Sequence, residues 1–345
     1  MNKLVIDRHD KPLLIMAIGL AGSGKSTIAK ELTINNFGTY GNKPVIHSSD
    51  SIREEMFGDE AIQKDHDKVF AELHRRIYND LSSGKDVIYD ATNINKKQRT
   101  AFLESLKRFN CEKVALCVMT PFENCLKNNE SRDRVVPYGG MKSMYMRWTP
   151  PYKHEGFDSI YLVFNCTDGW KEIHGNMNAL IDHLNNIDQE NKHHNLTVGE
   201  HCTYAAEYIK KNYPDNKILY ASALLHDIGK EFTKTRYNAL GEVDGQCHFY
   251  QHQNVGAYDA MFYLKESGQF TEDEMLYVSN LIYYHMHPTV SWSQSEKSRK
   301  KSINLIGKDM YDDIMRVHEA DRAAHLPERT HETKEYELEV LEIGR

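Results

Sequence analysis

The chain has 345 residues, 27% of them charged and 40% hydrophobic, with a net charge of −7. That length suggests two domains, and the mild acidity excludes a molecule that is basic over its whole surface, so any strand-binding surface must be a local groove. The six cysteines show no C-x-x-C spacing, which argues against a zinc ribbon or disulfide framework and suits reduced thiols in a cytoplasmic protein. The opening residues do not read as a signal peptide, and no apolar run is long enough to span a bilayer, so no membrane association is expected.

In chain order, the apolar run Leu13 to Ile18 reads as a buried parallel strand. It is followed by Gly19-Leu20-Ala21-Gly22-Ser23-Gly24-Lys25-Ser26, which fits the phosphate-cradling pattern G-x-x-x-x-G-K-[ST], and then by a helix from Thr27. Glycines let the backbone fold tightly enough for its N–H groups and the positive helix end to face a polyphosphate. Gly22, Ser23, Gly24, Lys25, Ser26 and Thr27 are therefore the expected nucleotide-binding residues. Lys25 is expected to reach the β- and γ-phosphates of ATP or another NTP, and the Ser26 hydroxyl to bind Mg²⁺.

Residues 45–48 read as a second strand, 64–82 as a helix with Val69, Leu73, Ile77 and Leu81 on one face, and 87–89 as a third strand. A helix over 96–109, a strand over 114–118, a helix from Phe122, a polar segment carrying arginines, a helix over 141–148 and a strand over 159–164 complete the half. Strands alternating with helices predict a parallel α/β sheet. Ligands gather at the carboxyl ends of such strands. Three polar clusters fall there besides the glycine-rich loop: Asp50-Ser51-Ile52-Arg53, Asp90-Ala91-Thr92-Asn93, and Arg132-Asp133-Arg134. Phosphoryl transfer needs a donor cradle, a metal, a carboxylate at the acceptor hydroxyl and arginines over the transferred group. Asp50 also fits a plain helix cap, and the arginines also fit a solvated loop. Trp148 and Tyr152 lie beside that loop, where they either stack on a base or pack into the core.

On these residues the half from about 11 to 165 resembles the 5′-hydroxyl polynucleotide kinases. The features that carry the resemblance are the P-loop, the Asp50-x-x-Arg53 pair, Asp90-Ala91-Thr92-Asn93 before a helix, Val136-Pro137 after the arginines, and Glu155-Gly156-Phe157 before the last strand. The resemblance implies that Asp50 is the general base on an acceptor 5′-OH and that Arg53 binds the neighbouring phosphate. It also implies a clamp on the donor phosphates by Arg132, or by Arg134 in its place, and it puts Thr92 and Asn93 at the substrate. Asn128-Asn129 stands where an Arg-Asn pair is common in the family.

The most polar connector runs from about Asp182 to Asn195, which gives domains of 1–180 and 181–345. From Asn195 onward no strand is evident. Helices are expected at 197–212, 215–229, 254–267, 272–286, 298–306, 309–325 and 331–343, an all-helical domain. Thr197 and Glu200 fit a capping box. The helix ending Leu224-Leu225-His226-Asp227 is nearly apolar all round, so a His-Asp pair at its end is costly to bury unless a cation or another partner satisfies it. His201, His285 and Asp321 repeat the anomaly on other apolar faces. A shared divalent ion accounts for all of them, and mixed imidazole and carboxylate donors suit Mn, Fe, Co, Ni or Zn better than Mg.

His201 … His226-Asp227-Ile228-Gly229-Lys230 … Asp321 resembles the HD phosphohydrolase superfamily over about 195–325. The resemblance implies one divalent ion on His201, His226, Asp227 and Asp321, with Asp227 also catalytic. It puts His252 and His285 at the scissile phosphate or at a second ion. Lys230 either neutralises phosphate charge or caps its helix. His248 and His287 are expected to be surface or supporting residues. The basic run Lys297–Lys301 reads as a solvated helix start or a strand-guiding patch.

Together these readings predict a P-loop α/β kinase followed by an all-α HD domain. The fusion is expected to phosphorylate 5′-OH ends of RNA or DNA and to hydrolyse a phosphoester such as a 2′,3′-cyclic or terminal phosphate. Two alternatives are a small-molecule kinase, for a nucleoside or sugar, fused to an HD nucleotidase, and a non-catalytic nucleotide sensor.

Overall fold

The computed structural model describes residues 11–34, 43–62, 64–165, 174–191, 195–293 and 295–325. The helix expected over 331–343, His193-His194 of the connector, and Cys166 lie outside them. The described residues fall into two compact units. One is drawn from Met1–Met144 and Pro151–Cys166, the other from Tyr145–Pro150 and Thr167–Arg345.

The first unit is built on a five-stranded parallel sheet in the order β2-β3-β1-β4-β5. The strands are β1 (Leu13–Ile18), β2 (Val45–Ser48), β3 (Val87–Asp90), β4 (Glu112–Met119) and β5 (Ser159–Phe164). Central β1 pairs with β3 and with β4 (Ile15 opposite Ile88 and Val114), and every one of its residues is buried. Burial on both faces is why Leu13–Ile18 is continuously apolar rather than alternating. The helices are α1 (Lys25–Ile34), α2 (Ser49–Phe57), α3 (His66–Ser82), α4 (Lys96–Ser105), α5 (Phe122–Glu130) and α6 (Tyr138–Met146). Their apolar stripes supply the rest of the core. In α3, Val69, Leu73, Ile77 and Leu81 are all buried, as their four-residue spacing requires. Helix α4 is shorter than its periodicity suggests. It tightens into a 3₁₀ turn at Leu106–Arg108, and the Phe109 N–H bonds the Leu106 carbonyl.

A fully buried ion pair braces this unit. Arg99 of α4 donates from Nε and Nη2 to the two carboxylate oxygens of Glu155, at 2.7 and 2.8 Å, and both side chains are 0% exposed. Arg99 Nη1 also holds the Asn93 carbonyl at 3.1 Å, so the pair fixes the loop after β3.

The second unit is mostly helical: α7 (Met177–Leu184), α8 (Val198–Asn212), α9 (Lys217–Leu225), α10 (Lys230–Thr233), α11 (His252–Ser267), α12 (Glu272–Tyr284), α13 (Glu296–Ile306) and α14 (Lys308–Ala323). The Thr197/Glu200 capping box forms: the Thr197 hydroxyl accepts from the Glu200 N–H at 3.2 Å, and the Glu200 carboxylate accepts from the Thr197 N–H at 2.9 Å.

Two expectations need correction here. The unit contains strands, an antiparallel hairpin of β6 (Lys234–Tyr237) and β7 (Val243–Phe249). Its turn is set by the Asn238 side chain, which accepts from the N–H groups of Leu240 and Glu242, and by Gly241 at φ 81°. The helix expected over 215–229 stops at Leu225, and His226–Gly229 form a turn. A Cβ on Gly229 would lie 2.2 Å from the His252 carbonyl oxygen. The turn therefore lets the backbone beside His226 and Asp227 close onto the start of α11.

Residues Tyr145–Pro150 pack within this second unit. The Tyr145 hydroxyl donates to Asp259 at 2.5 Å, Asn254 Nδ2 donates to the Trp148 carbonyl at 2.8 Å, and the Trp148 ring meets Tyr258 edge-on at 5.0 Å. Trp148 is 0% exposed, so it is a packing residue rather than a base-stacking one.

Candidate functional sites

In the first unit the glycine-rich loop lies at the carboxyl end of β1. The Gly19 N–H bonds the Thr92 carbonyl at 3.0 Å, tying the loop to the segment after β3. The Thr120 hydroxyl and Asn165 Nδ2 both donate to the Ser23 carbonyl, at 2.9 and 3.1 Å. Gly22 sits at φ 75°, and a Cβ there would come within 2.3 Å of the Cys125 carbonyl oxygen, so no other residue fits. Helix α1 begins at Lys25, so its first-turn N–H groups and positive dipole end face the loop. Thr27 lies exposed in that first turn. Lys25 is buried, with Nζ 2.6 Å from the Leu20 carbonyl. Burial pulls its pKa below the ordinary lysine value against the nearby Asp90 carboxylate.

Asp90, singled out with the cluster after β3 but given no role of its own there, is also a site residue. Its Oδ2 accepts from the Ser26 hydroxyl at 2.7 Å. A hydroxyl and a carboxylate joined at the end of two adjacent strands are hard oxygen donors of the kind that suit Mg²⁺ beside a phosphate cradle. The signal was available, because Val87-Ile88-Tyr89 is an apolar run that ends in an acid.

Asp50 is not the cap of its helix. The Ser48 hydroxyl takes that role, accepting from the Asp50 N–H at 3.2 Å. The carboxylate is left to the arginines: Arg134 Nη1 at 2.7 Å and Arg53 Nη1 at 2.9 Å on Oδ1, and Arg132 Nη2 at 3.7 Å from Oδ2. Both candidate lid arginines thus converge on the same acid. Arg53 is 4% exposed, and burial lowers its pKa against the pull of Asp50. Its Nη2 donates to His66 Nδ1 at 3.1 Å, while its buried Nε has no partner among the described residues.

The Asn128-Asn129 pair also has a place. Asn128 Nδ2 donates to the Gly22 carbonyl at 2.9 Å. Asn129 bonds both polar groups of Val136, its Oδ1 accepting at 3.0 Å and its Nδ2 donating at 2.8 Å, which closes the base of the arginine segment. Asn93, expected at the substrate, has its amide on the Ala17 carbonyl at 2.8 Å, and Thr92 contributes its carbonyl to Gly19. Both therefore brace the loop in this structure.

In the second unit four helices and a turn bring six ligand-type side chains together. His201, His226 and Asp321 form one trio and Asp227, His252 and His285 another, with the donor atoms in each trio within 4.8 Å of one another. Asp227 joins them. Its Oδ2 lies 3.3 Å from His226 Nε2 and 3.5 Å from His201 Nε2, and its Oδ1 lies 3.2 Å from His252 Nε2 and 3.8 Å from His285 Nε2. Asp321 Oδ1 is 3.0 Å from His201 Nε2.

The histidine tautomers make the case for a cation. Nδ1 of His226, His252 and His285 each donates to a backbone carbonyl three residues earlier, at 2.7, 2.8 and 2.6 Å. Each Nε2 is then a lone pair in the neutral ring. Yet the two acceptors of His252 and His285 face one another Nε2 to Nε2 at 3.2 Å. Two acceptors cannot bond each other, so the cluster calls for a positive charge among them, and this donor set fits a divalent transition metal.

In the protein alone a proton on His226 meets that demand for positive charge. Burial works to lower the His226 pKa, but the Asp227 and Asp321 carboxylates outweigh it and hold it well above the usual value. Burial works to raise both carboxyls, and the cations around them hold Asp227 and Asp321 well below. His285 is pushed down to about 3 by burial and by the neighbouring His226 and His252, against the pull of Asp227 and Asp321.

Lys230 is buried, with Nζ 2.6 Å from Asp227 Oδ2 and 2.7 Å from Gln189 Oε1. It neither caps its helix nor reaches solvent. Gln189, 0% exposed, had carried no motif signal. His325 was also missed: its ring is 5.0 Å from His201, and its Nδ1 donates to the Asp321 carbonyl. His248 pairs with Asp244 at 3.0 Å and stacks on Tyr250, while His287 packs on Tyr284 and Trp292, so both lie outside the cluster.

Comparison with known proteins finds one family match around each site. Residues 14–151 match the AAA domain family and residues 192–332 match the HD domain family. Among solved structures, a chain of the Pnkp1/Rnl/Hen1 RNA repair complex matches at 18% identity and a TM-score of 0.35, over 40% of this chain and 44% of that one. A gluconokinase from Sinorhizobium meliloti 1021 matches at 16% identity and a TM-score of 0.32, over 45% and 84%. A sugar kinase from Janibacter sp. HTCC2649 does so at 16% and 0.32, over 44% and 85%. At these values the resemblances choose no acceptor. Among the described residues no helix is long and apolar enough to cross a membrane. The chain is thus a fusion of a kinase-like P-loop domain of the AAA type with an HD domain.

Proposed function

We propose that the protein heals nucleic-acid ends. The first unit transfers the γ-phosphate of ATP or another NTP to a 5′-OH, and the second hydrolyses a phosphoester such as an RNA 2′,3′-cyclic or terminal phosphate. The observation that carries the reading is the acceptor side of the P-loop site. A reacting hydroxyl needs one carboxylate, supplied by Asp50. The buried Arg53 beside it has no use for a neutral sugar or nucleoside, and it suits an acceptor with its own phosphate next to the hydroxyl. Arg134 and Arg132 would then move from Asp50 to the phosphoryl group as its charge develops. Lys25 neutralises the donor phosphates, and Ser26 with Asp90 would hold Mg²⁺.

In the second unit His201, His226, Asp227 and Asp321 would hold the divalent ion, with His252 and His285 at a second ion or at the phosphate. When bound, such an ion supplies Lewis acidity toward the phosphoester. Asp227 aligns both trios, and Lys230 limits the negative charge it carries. A cytoplasmic setting fits the five described cysteines, all buried thiols. Phosphorylation at one end and hydrolysis at the other are the two repairs that 5′-OH and cyclic ends need before ligation.

The test uses γ-labelled ATP, a 5′-OH RNA with a 2′,3′-cyclic end, and Mg²⁺ or Mn²⁺. Lys25→Ala and Asp50→Asn should abolish 5′ labelling alone, and Asp227→Ala should abolish 3′ processing alone. Loss of both activities in folded Asp227→Ala would refute two independent centres. Labelling of nucleosides or sugars but not of oligonucleotides would replace this reading with the small-molecule kinase.

A further inference from the structure

We propose that His66 is a positioning residue for the acceptor side of the P-loop site, holding Arg53 in place only while its imidazole is neutral. The inference rests on the end-healing reading for what Arg53 binds, but its geometry stands by itself. A guanidinium has donors and no acceptor, and it does not deprotonate. The 3.1 Å contact between Arg53 Nη2 and His66 Nδ1 therefore requires an unprotonated Nδ1. Asp50 fixes one Nη of Arg53 and His66 the other, and the buried Nε is left without a partner. A guanidinium held on two nitrogens keeps one orientation toward an incoming oxygen.

His66 opens α3 on its exposed side and packs on Phe70 at 5.5 Å, so its ring exchanges protons with solvent. The charges facing it are Arg53 from α2, Arg134 from the arginine segment, and Asp67 on its own helix. Two cations and the positive end of α3 oppose one carboxylate. Burial first, then Arg53, lowers the pKa of His66 below its ordinary 6.5. The ring is thus neutral at neutral pH. On acidification a proton arrives at Nδ1, breaks the bond and sets two cations face to face. Acid should therefore weaken acceptor binding while leaving the donor phosphates on Lys25.

The experiment measures steady-state kinetics of the full chain from pH 5 to 8 with a 5′-OH oligonucleotide whose phosphates are all internal diesters, which do not titrate in this range. For the wild type the acceptor KM should rise below pH 6.5 with the NTP KM constant. His66→Phe should raise the acceptor KM about tenfold at pH 8, the scale of one lost charged hydrogen bond, and remove its acid limb. His66→Asn, whose Oδ1 replaces Nδ1 as a non-titrating acceptor, should restore the KM and abolish its acid limb. Wild-type values and pH profile in both variants would overturn the proposal. Long-range ¹⁵N–¹H NMR of the ring decides the contact without any acceptor. Nδ1 should be unprotonated at pH 7.5, with a pKa that rises in Arg53→Ala. A protonated Nδ1 would sink the inference. If the wild type labels no 5′-OH end, the functional reading fails while this spectrum still decides the His66–Arg53 contact.

Discussion

Replacing Glu155 with leucine leaves the Arg99 guanidinium buried without its carboxylate. Both side chains are 0% exposed, and the pair is bidentate at 2.7 and 2.8 Å. Breaking one side of such a pair costs about 3–5 kcal/mol, because the surviving charge cannot reach water. The Tyr152 N–H, which donates to Glu155 Oε1 at 3.1 Å, loses its partner as well, adding about 1 kcal/mol. For a domain of this size that corresponds to a fall in Tm of roughly 10–15 °C. The assay is urea and thermal unfolding of the full chain, following the transition that nucleotide shifts. Arg99→Met with Glu155→Leu should be less destabilised than Glu155→Leu alone, since an apolar pair leaves no orphaned charge. A single variant within about 1 kcal/mol of the parent would show that water enters the site, and the reasoning would fail.

Three more outcomes follow from the same geometry. Asp90→Asn should raise the Mg²⁺ concentration needed for half-maximal nucleotide binding by about tenfold or more, because a carboxylate on Ser26 becomes an amide; titration calorimetry at fixed nucleotide checks it. Gly22→Ala should abolish nucleotide binding while leaving most of the fold, since its Cβ meets the Cys125 carbonyl; fluorescent-nucleotide titration reads the loss. His74, half-buried against Phe102 and Tyr89, has its pKa pushed down to about 4 by burial. Its folded value lies below its unfolded one, so its contribution is fully present above pH 6.5 and is lost as pH falls toward 4. Up to about 3 kcal/mol rides on that window, and His74→Phe should flatten the stability profile there in urea titrations.

What the sequence made legible follows from which signals are local. The P-loop announced itself because its glycines, lysine and serine are consecutive, and the strands around it because burial on both faces makes them continuously apolar. His226-Asp227 stood out because a buried acid beside a buried histidine is expensive. The burial of Lys230 against Asp227 and Gln189 was not readable, because it depends on a partner 41 residues away. The hairpin at 234–249 was missed because its strands are short and their faces exposed, so hydrophobic alternation is weak there. His66 carried no motif at all. A histidine at a helix start is ordinary until Arg53 is seen across from it.

The stretch Tyr145–Pro150 has a practical meaning for dissecting the protein. The polypeptide enters the second unit at Tyr145, returns to the first at Pro151, and leaves again after Cys166. A cut at 166 or at 180 therefore gives a P-loop fragment that carries Trp148 away from Tyr258, and an HD fragment missing the chain that Asn254 and Asp259 hold. Neither half is a whole folding unit. Activities assigned from separately expressed halves would confound a missing core residue with a missing catalytic one, and point substitutions in the intact chain avoid that confusion.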